Sequence, residues 1–275
     1  MKTRAKSALV MAPLLIIVFL GGYFLVAGVA VLSIFALREY SAAFGEKKPA
    51  MWVFWVSLGI LYGGYLIPRI HAYILLPWVF ITLVLCFLSM FAMDRRGLLE
   101  GMATVTGAFY INFLAFHLVL VDESFATRFE IGGFAVSGLH SYVWIVILTA
   151  FGTDIFAYFT GMLLGSHKLC PSISPKKTVE GAVGGVLGSV FLCGMFGYYF
   201  LPAGFTTCIV IGVAGGVVAQ LGDLAASVMK RKIGIKDWGT LIPGHGGILD
   251  RIDSILFTAP LVFYILMIKA VFLVV

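Results

Sequence analysis

Four aspartates in the second half of the chain lie inside apolar segments or at their ends. They are Asp154 in TAFGTDIFAYFTG, Asp223 in AQLGDLAASVMK, and Asp250 and Asp253 in ILDRID. An ionised carboxylate at membrane depth costs about 2.5–3.5 kcal/mol on insertion scales, so such a residue normally faces a polar cavity and has a partner. Four of them in one half of the chain predict a shared polar site.

Helical spacing groups these carboxylates on common faces. Ser227 and Lys230 follow Asp223 by one and two helical turns, and Asp250 and Asp253 are three residues apart, so each set shares one face. The segment between the two sets is rich in glycine and long enough to fold back. We therefore expect Asp223 to approach Asp250 and Asp253.

Clustered carboxylates repel one another unless a positive charge lies among them. Mg²⁺ is usually held by one or two carboxylates together with substrate phosphates. The alternative is an internal salt-bridge network with Lys230 and Arg251 as the partners. The metal is favoured because the chain has more basic residues than are needed to pair with its acidic residues.

A second cluster of charge lies in two basic loops. Lys176, Lys177 and Thr178 directly precede a helix that is predicted to begin near Glu180, and helix N-termini attract anions. Alone, this pattern is typical of a cytoplasmic loop with nothing bound. Together with KRKIGIK at 230–236, which includes Arg231 and Lys236, it favours a site for a metal and a polyphosphate. The chain has no GxxxxGK[ST] phosphate loop.

His245 stands between Gly244 and the pair Gly246-Gly247. Flanking glycines allow the backbone to approach a ligand closely, and His245 is then placed to contact phosphate or transfer a proton. It is equally suited to capping the last helix, and the sequence leaves the two roles open.

The composition shows what must position these residues. Of 275 residues, 61% are hydrophobic and 12% charged, and the mean hydropathy is +1.06, whereas soluble domains carry about 25% charged residues. Apolar runs recur along the whole chain and predict an all-α polytopic membrane protein without a sizeable soluble domain. The roughly 10-residue alternating segments of a β-barrel are missing from the sequence.

The apolar runs predict about nine transmembrane helices. The run from 8 to 37 is interpreted as two helices with a turn at Gly21-Gly22. The other spans are predicted at 51–67, 73–93, 102–121, 142–165, 181–201, 206–229 and 249–274. Nine spans with a cytoplasmic N-terminus place 16 of the 19 lysines and arginines inside, and eight spans place 13 there, so the positive-inside rule favours nine.

The two halves of the chain differ in character. Residues 1–140 are chemically quiet and are predicted to be a scaffold of membrane helices, with possible dimer contacts. Residues 141–275 are predicted to be catalytic, with cytoplasmic loops at 166–180 and 230–248. The net charge of +6 reflects the cytoplasmic bias of these loops and is no indication of nucleic-acid binding. The first helix is interpreted as uncleaved rather than as a signal peptide, because apolar sequence continues beyond it.

The 27 residues SVMKRKIGIKDWGTLIPGHGGILDRID at 227–253 resemble the signature of phosphatidate cytidylyltransferases, also called CDP-diacylglycerol synthases. The shared positions, in chain order, are Ser227, Lys230, Arg231, Lys236, Asp237, Gly239, Pro243, His245, Gly246, Gly247, Asp250, Arg251 and Asp253. The segments 154–169 and 173–181 also resemble the family, so the resemblance covers Asp154 to Asp253.

The resemblance implies that the phosphate of phosphatidic acid attacks the α-phosphorus of CTP, with release of pyrophosphate and with Mg²⁺ or a similar divalent cation as cofactor. The implied metal ligands are Asp223, Asp250 and Asp253, with Asp154 completing or ordering the cluster. The residues implied to neutralise the two anionic substrates are Lys176, Lys177, Lys230 and Arg231. Further substrate-binding candidates are Thr178, Ser227, Lys236, Asp237 and Arg251, and Arg251 alternatively only balances the aspartates beside it.

Two other functions compete with this interpretation. A CTP-dependent lipid kinase would release CDP instead of pyrophosphate. An ion-coupled transporter would need carboxylates near the midplane and a path to both sides, whereas these cluster at the cytoplasmic end. We expect a homodimer in a bacterial inner membrane, with the bilayer, CTP and phosphatidic acid as partners.

Overall fold

The computed structural model describes residues 15–67, 73–91, 97–125, 128–131, 134–137, 140–201, 204–241 and 246–274. Helices dominate it, and a π-helical segment, Ala108–Phe113, joins the fourth helix to the fifth. The α-helices with defined bounds are α1 (Gly22–Ala42), α2 (Met51–Tyr65), α3 (Leu75–Met90), α4 (Leu98–Gly107), α5 (Leu114–Ser124), α6 (Ser141–Leu164), α7 (Val179–Phe200), α8 (Phe205–Ile233) and α9 (Leu249–Val274).

Six helices of the described residues are long and apolar enough to cross a membrane. They are α1, the continuous helix Leu98–Ser124, α6, α7, α8, and α9 as far as Phe272. The apolar helices α2 and α3 are shorter, with 15 and 16 residues. The prediction of a helical integral membrane protein is therefore confirmed. The predicted count of nine spans depends partly on residues before 15, which lie outside the described part of the chain.

The predicted break at Gly21-Gly22 is present. Residues 15–20 are helical, Gly21 leaves the helix at φ 56°, and α1 begins at Gly22 with φ 50°. Both values lie in the left-handed region that glycine adopts without strain. A Cβ on Gly21 would also collide with the ring of His140, so this turn requires glycine for two independent reasons.

Two short antiparallel hairpins depart from the predicted all-α pattern. Strand β1 (Arg128–Ile131) pairs with β2 (Phe134–Ser137), and β3 (Lys168–Cys170) pairs with β4 (Ser174–Thr178). Both lie outside the predicted spans, between 121 and 142 and between 165 and 181. The second hairpin links α6 to α7 and returns the chain across the end of α6, which brings the basic loop to the carboxylates.

Close packing by glycine holds α6 and α7 together. A row on α7 at helical spacing, Gly181, Gly184, Gly185 and Gly188, faces α6. A Cβ on Gly185 would lie 3.0 Å from the Thr153 carbonyl oxygen, and one on Gly181 would lie 2.8 Å from that of Ala157. Small residues at this spacing let helix backbones approach each other in membranes. This packing fixes the position of the functional side chains on α6 relative to those in the loop before α7.

The same kind of packing joins α8 to its neighbours. A Cβ on Gly212 would lie 2.7 Å from the Val190 Cα of α7, and one on Gly222 would lie 3.0 Å from the Asp253 carbonyl oxygen of α9. Gly222 immediately precedes Asp223. The carboxylates of α8 and α9 are therefore held close together by direct contact between the two helices.

Candidate active site

Asp250 joins the end of α8, the following loop and the start of α9. Its Oδ1 accepts a hydrogen bond from Lys230 Nζ at 2.6 Å, and its Oδ2 accepts from the backbone N–H groups of Trp238 at 2.8 Å and Gly247 at 3.0 Å. The side chains of Lys230 and Asp250 are 10% and 5% exposed. An internal salt bridge of Lys230, which the sequence leaves open as the alternative to a metal ion, is therefore present with Asp250.

Three other aspartates converge from three helices. Asp154 of α6 accepts from the Ser254 hydroxyl at 3.4 Å, and Asp253 of α9 accepts from the Ser254 backbone N–H at 2.8 Å. Asp154 and Asp253 each interact electrostatically with Asp223 of α8, and with each other. We call Asp154, Asp223 and Asp253 the carboxylate cluster. The three carboxylates thus share one polar region, and their role as metal ligands stays a prediction.

Lys177 brings a positive charge to the cluster. Its Nζ lies 2.6 Å from Asp223 Oδ2, and the two side chains are 26% and 30% exposed. The Ser227 hydroxyl lies 3.5 Å from the other Asp223 oxygen. Lys177 reaches this position because β4 carries it back over α6. The pairing of Lys177 with Asp223 does not follow from the sequence pattern.

A polar cavity of about 420 Å³ opens beside the cluster. Its polar lining residues come from α6, β4 and α8: Asp154, Tyr158, Lys176, Lys177, Thr178, Gln220 and Asp223. Thr178 is also the N-cap of α7, because its hydroxyl accepts from the Gly181 N–H at 3.1 Å. The helix begins at Val179, one residue before the predicted Glu180. The cavity therefore combines carboxylates, lysines and a capped helix N-terminus, as a site for a metal and phosphates requires.

The carboxylate cluster suits a divalent cation that is completed by substrate. Carboxylate oxygens are the hard donors that Mg²⁺ prefers. Among the described residues, no three acidic, His or Cys side chains already stand as a preformed metal-ligand set. Mg²⁺ sites are commonly built from one or two carboxylates with substrate phosphates and water. The residues fit that kind of site rather than an all-protein cage.

The remaining predicted site residues lie around this centre. Arg231 is exposed and donates to the Ile235 carbonyl at 2.9 Å, just beyond the end of α8. Lys236 and Asp237 are exposed in the following loop. His245 lies outside the described residues, so its two alternative roles remain predictions.

Arg251 lies beside a second cavity, which is apolar. It is half-buried and lines an apolar cavity of about 210 Å³ between residues 15–32 and the helices α5, α6 and α9. Ile147 and Phe151 line this cavity on α6, and Asp154 follows on the same helical face. Arg251 also interacts electrostatically with Asp154. It therefore stands between an apolar cavity and the carboxylate cluster.

The N-terminal half supplies one residue that sequence reasoning missed. The carboxylate of Glu39 accepts hydrogen bonds from the backbone N–H groups of Ile248 and Leu249. In the sequence, Arg38-Glu39 has the pattern of ordinary interfacial charge at the end of an apolar span. The description of residues 1–140 as chemically quiet is therefore incomplete.

Comparison with known proteins gives matches along nearly the whole chain. A family model described as Cytidylyltransferase family matches residues 2–269. A Synechocystis sp. protein named phosphatidate cytidylyltransferase is 36% identical over 277 residues, covering 90% of each chain. A Bacillus subtilis protein of that name is 38% identical over 157 residues, covering 57% of this chain and 58% of its own. One from Staphylococcus aureus is 44% identical over 126 residues, covering 45% of this chain and 48% of its own.

Proposed function

The chain belongs to the cytidylyltransferase family, and we propose from this membership that it transfers CMP from CTP to phosphatidic acid. The Synechocystis relative that carries the name phosphatidate cytidylyltransferase matches over 90% of both chains, which is the observation that carries the proposal. A phosphate oxygen of phosphatidic acid forms a bond to the α-phosphorus of CTP. The bond between that phosphorus and the oxygen that bridges it to the β-phosphorus breaks. Pyrophosphate leaves with the electron pair of this bond.

The main difficulty of this reaction is bringing two anions together. Phosphatidic acid is already ionised, so its phosphate needs little help from a general base. We propose that Lys176 and Lys177 neutralise the triphosphate in the polar cavity that they line. Fixed positive groups of this kind stabilise the charge that develops on a phosphoryl group during transfer.

A divalent cation completes the proposed site. We assign Asp223, Asp253 and Asp154 to hold it, with Asp250 as the fourth predicted ligand. When bound, Mg²⁺ supplies a Lewis acid and a template for the phosphates of CTP. Asp250 differs from the other three because Lys230 and two backbone N–H groups already use its oxygens. Its contacts support a role in fixing the loop and α9.

The apolar cavity beside Arg251 supports a place for the lipid. An acyl chain lying along Ile147 and Phe151 would bring the lipid phosphate to Arg251. From there the phosphate faces Asp154 and the rest of the carboxylate cluster. We therefore propose that Arg251 contacts substrate, which is one of the two roles that the sequence leaves open.

The reaction itself is tested with labelled CTP and phosphatidic acid in detergent, with and without Mg²⁺. We expect a labelled CDP-lipid and free pyrophosphate in the presence of Mg²⁺, and loss of both products when EDTA is added. Release of CDP together with a phosphorylated lipid would identify a kinase instead. Absence of any CDP-lipid with active protein would refute the proposed function.

Arg251→Met is expected to raise KM for phosphatidic acid by about 10- to 100-fold, because a hydrogen bond to a charged group contributes about 1.5–3 kcal/mol. KM for CTP should stay within about twofold of the wild-type value. Initial rates in mixed micelles measure both constants. The control is Arg38→Met, which removes an exposed arginine. A selective rise in KM for CTP would assign Arg251 to the nucleotide.

Several finer features remain proposals. We propose nine spans, a cytoplasmic N-terminus and an active site that faces the cytoplasm, supported by the distribution of Lys and Arg under the positive-inside rule. The relatives named above are bacterial, which supports a location in the bacterial plasma membrane. A homodimer stays an expectation that cross-linking in native membranes tests.

A further inference from the structure

The helix that carries Asp250 and Asp253 begins against a carboxylate from the other half of the chain. Glu39 lies in the last turn of α1. Its Oε1 accepts from the Ile248 N–H at 3.0 Å, and its Oε2 accepts from the Leu249 N–H at 2.9 Å. The first N–H groups of a helix have no partner within the helix, and a negative charge near them is stabilising. Glu39 therefore binds α9 at the residues that immediately precede Asp250.

Two glycines of the signature segment make room for this carboxylate. A Cβ on Gly239 would lie 2.7 Å from Glu39 Oε1, and a Cβ on Gly247 would overlap the Glu39 carboxylate. From the sequence, the glycines that flank His245, including Gly247, are expected to allow close approach of a ligand. At Gly239 and Gly247, the group that approaches closely is a side chain of the protein.

The residue after Glu39 contacts the same loop from another side. The rings of Tyr40 and Trp238 lie 5.4 Å apart, and both side chains are almost fully buried. The Tyr40 hydroxyl in turn donates to the Ala103 carbonyl of α4 at 3.0 Å. The Trp238 backbone N–H also donates to Asp250. The end of α1 thus contacts the loop both through hydrogen bonds and through ring packing.

We propose that Glu39 is a positioning residue for the reaction, an inference that rests on the proposed function. It sets where α9 begins, and α9 carries Asp253 into the carboxylate cluster opposite Asp154 and Asp223. A displacement of about 1 Å in a catalytic group can cost about 100-fold in rate. Groups that orient metal ligands typically change metal affinity or activity by about 10- to 100-fold. A residue far from the cluster in sequence therefore controls the spacing of its carboxylates.

Glu39→Gln is the sharpest test because it keeps the size of the side chain. Each carboxylate oxygen accepts one backbone N–H, so an amide keeps one acceptor and turns its NH₂ group toward the other donor. We expect Mn²⁺ binding in the presence of CTP, followed by electron paramagnetic resonance, to weaken by about 10-fold or more. We also expect kcat to fall by about 100-fold, with KM for phosphatidic acid nearly unchanged.

Two further variants keep the test decisive. Glu46→Gln, at an exposed position near the same end of α1, should leave Mn²⁺ affinity and kcat at wild-type values. Glu39→Asp retains both oxygens on a shorter side chain and should give an intermediate loss, so it decides the question if the Gln variant does not fold. If the folded Glu39 variants keep normal Mn²⁺ affinity and kcat and differ only in unfolding temperature, the proposal is wrong. Glu39 would then be only a structural cap of α9. Mn²⁺ binding does not depend on which product forms, so this result is separate from the test of the reaction.

Discussion

Asp223→Asn is expected to abolish turnover while the protein remains folded. Asp223 lines the polar cavity together with Asp154, and it is the member of the carboxylate cluster that pairs with Lys177. An amide retains the size of the side chain but loses the charge that a divalent cation requires. Metal catalysis contributes several kcal/mol to transition-state stabilisation, so we expect a fall in kcat of about 1,000-fold or more. Product formation from labelled CTP measures the loss, and circular dichroism checks the fold.

A double-variant comparison separates the two roles of Asp223. If Asp223 served only to neutralise Lys177, Lys177→Met would restore Mn²⁺ binding to the Asp223→Asn protein. We expect no such rescue. We expect Mn²⁺ binding to be lost in Asp223→Asn and retained in Lys177→Met, because removing the lysine leaves the carboxylate available. Near-normal activity of Asp223→Asn would overturn the metal assignment.

Lys230→Met is expected to produce the largest loss of stability among these variants. Lys230 and Asp250 are both nearly buried, and the substitution leaves Asp250 as an uncompensated buried charge. Breaking a buried pair on one side costs about 3–5 kcal/mol. We expect a decrease in the free energy of unfolding near 3 kcal/mol, because the N–H groups of Trp238 and Gly247 still hold Asp250. Unfolding by titration with SDS measures the change.

Neutralising both partners should recover most of the stability. Lys230→Met combined with Asp250→Asn removes the unpaired charge, and replacement of a whole buried pair is often close to neutral. Activity should remain low, because the family resemblance implies that Lys230 neutralises substrate phosphate and the double variant lacks this lysine. Lys232→Met, at an exposed neighbouring position, should change stability by no more than about 0.5 kcal/mol. A double variant as unstable as Lys230→Met would show that the ion pair is not the cause.

The helical architecture of the second half was predictable because each apolar run is separated from the next by a polar segment or, at 201–204, by a short segment with Pro and Gly. The predicted spans 142–165, 181–201 and 206–229 correspond to Ser141–Leu164, Val179–Phe200 and Phe205–Ile233. The hairpins were not predictable, since strands of three to five residues show no hydrophobic period. The hairpin β3–β4 matters most for the site, because it carries Lys177 to its position beside Asp223.

The site was predictable where the membrane makes polarity costly. Asp154, Asp223 and Asp253 are conspicuous in apolar sequence, and helical spacing indicates which faces they share. Their pairing was not predictable, because whether a lysine contacts Asp223 or Asp250 depends on how three helices pack. Glu39 gave no signal at all, since a charge at the end of an apolar span is ordinary and its partners lie 209 and 210 residues away.

The glycine row on α7 has a consequence for which substitutions this protein tolerates. Any larger side chain at Gly184, Gly185 or Gly188 would meet α6 and force the two helices apart. The hairpin that carries Lys177 joins these two helices, so the distance between Lys177 and Asp223 would change as well. A mutational scan should therefore find positions on the α6–α7 seam as intolerant as the aspartates, although they hold no functional group. At this seam, the packing of the two helices depends on the absence of a side chain.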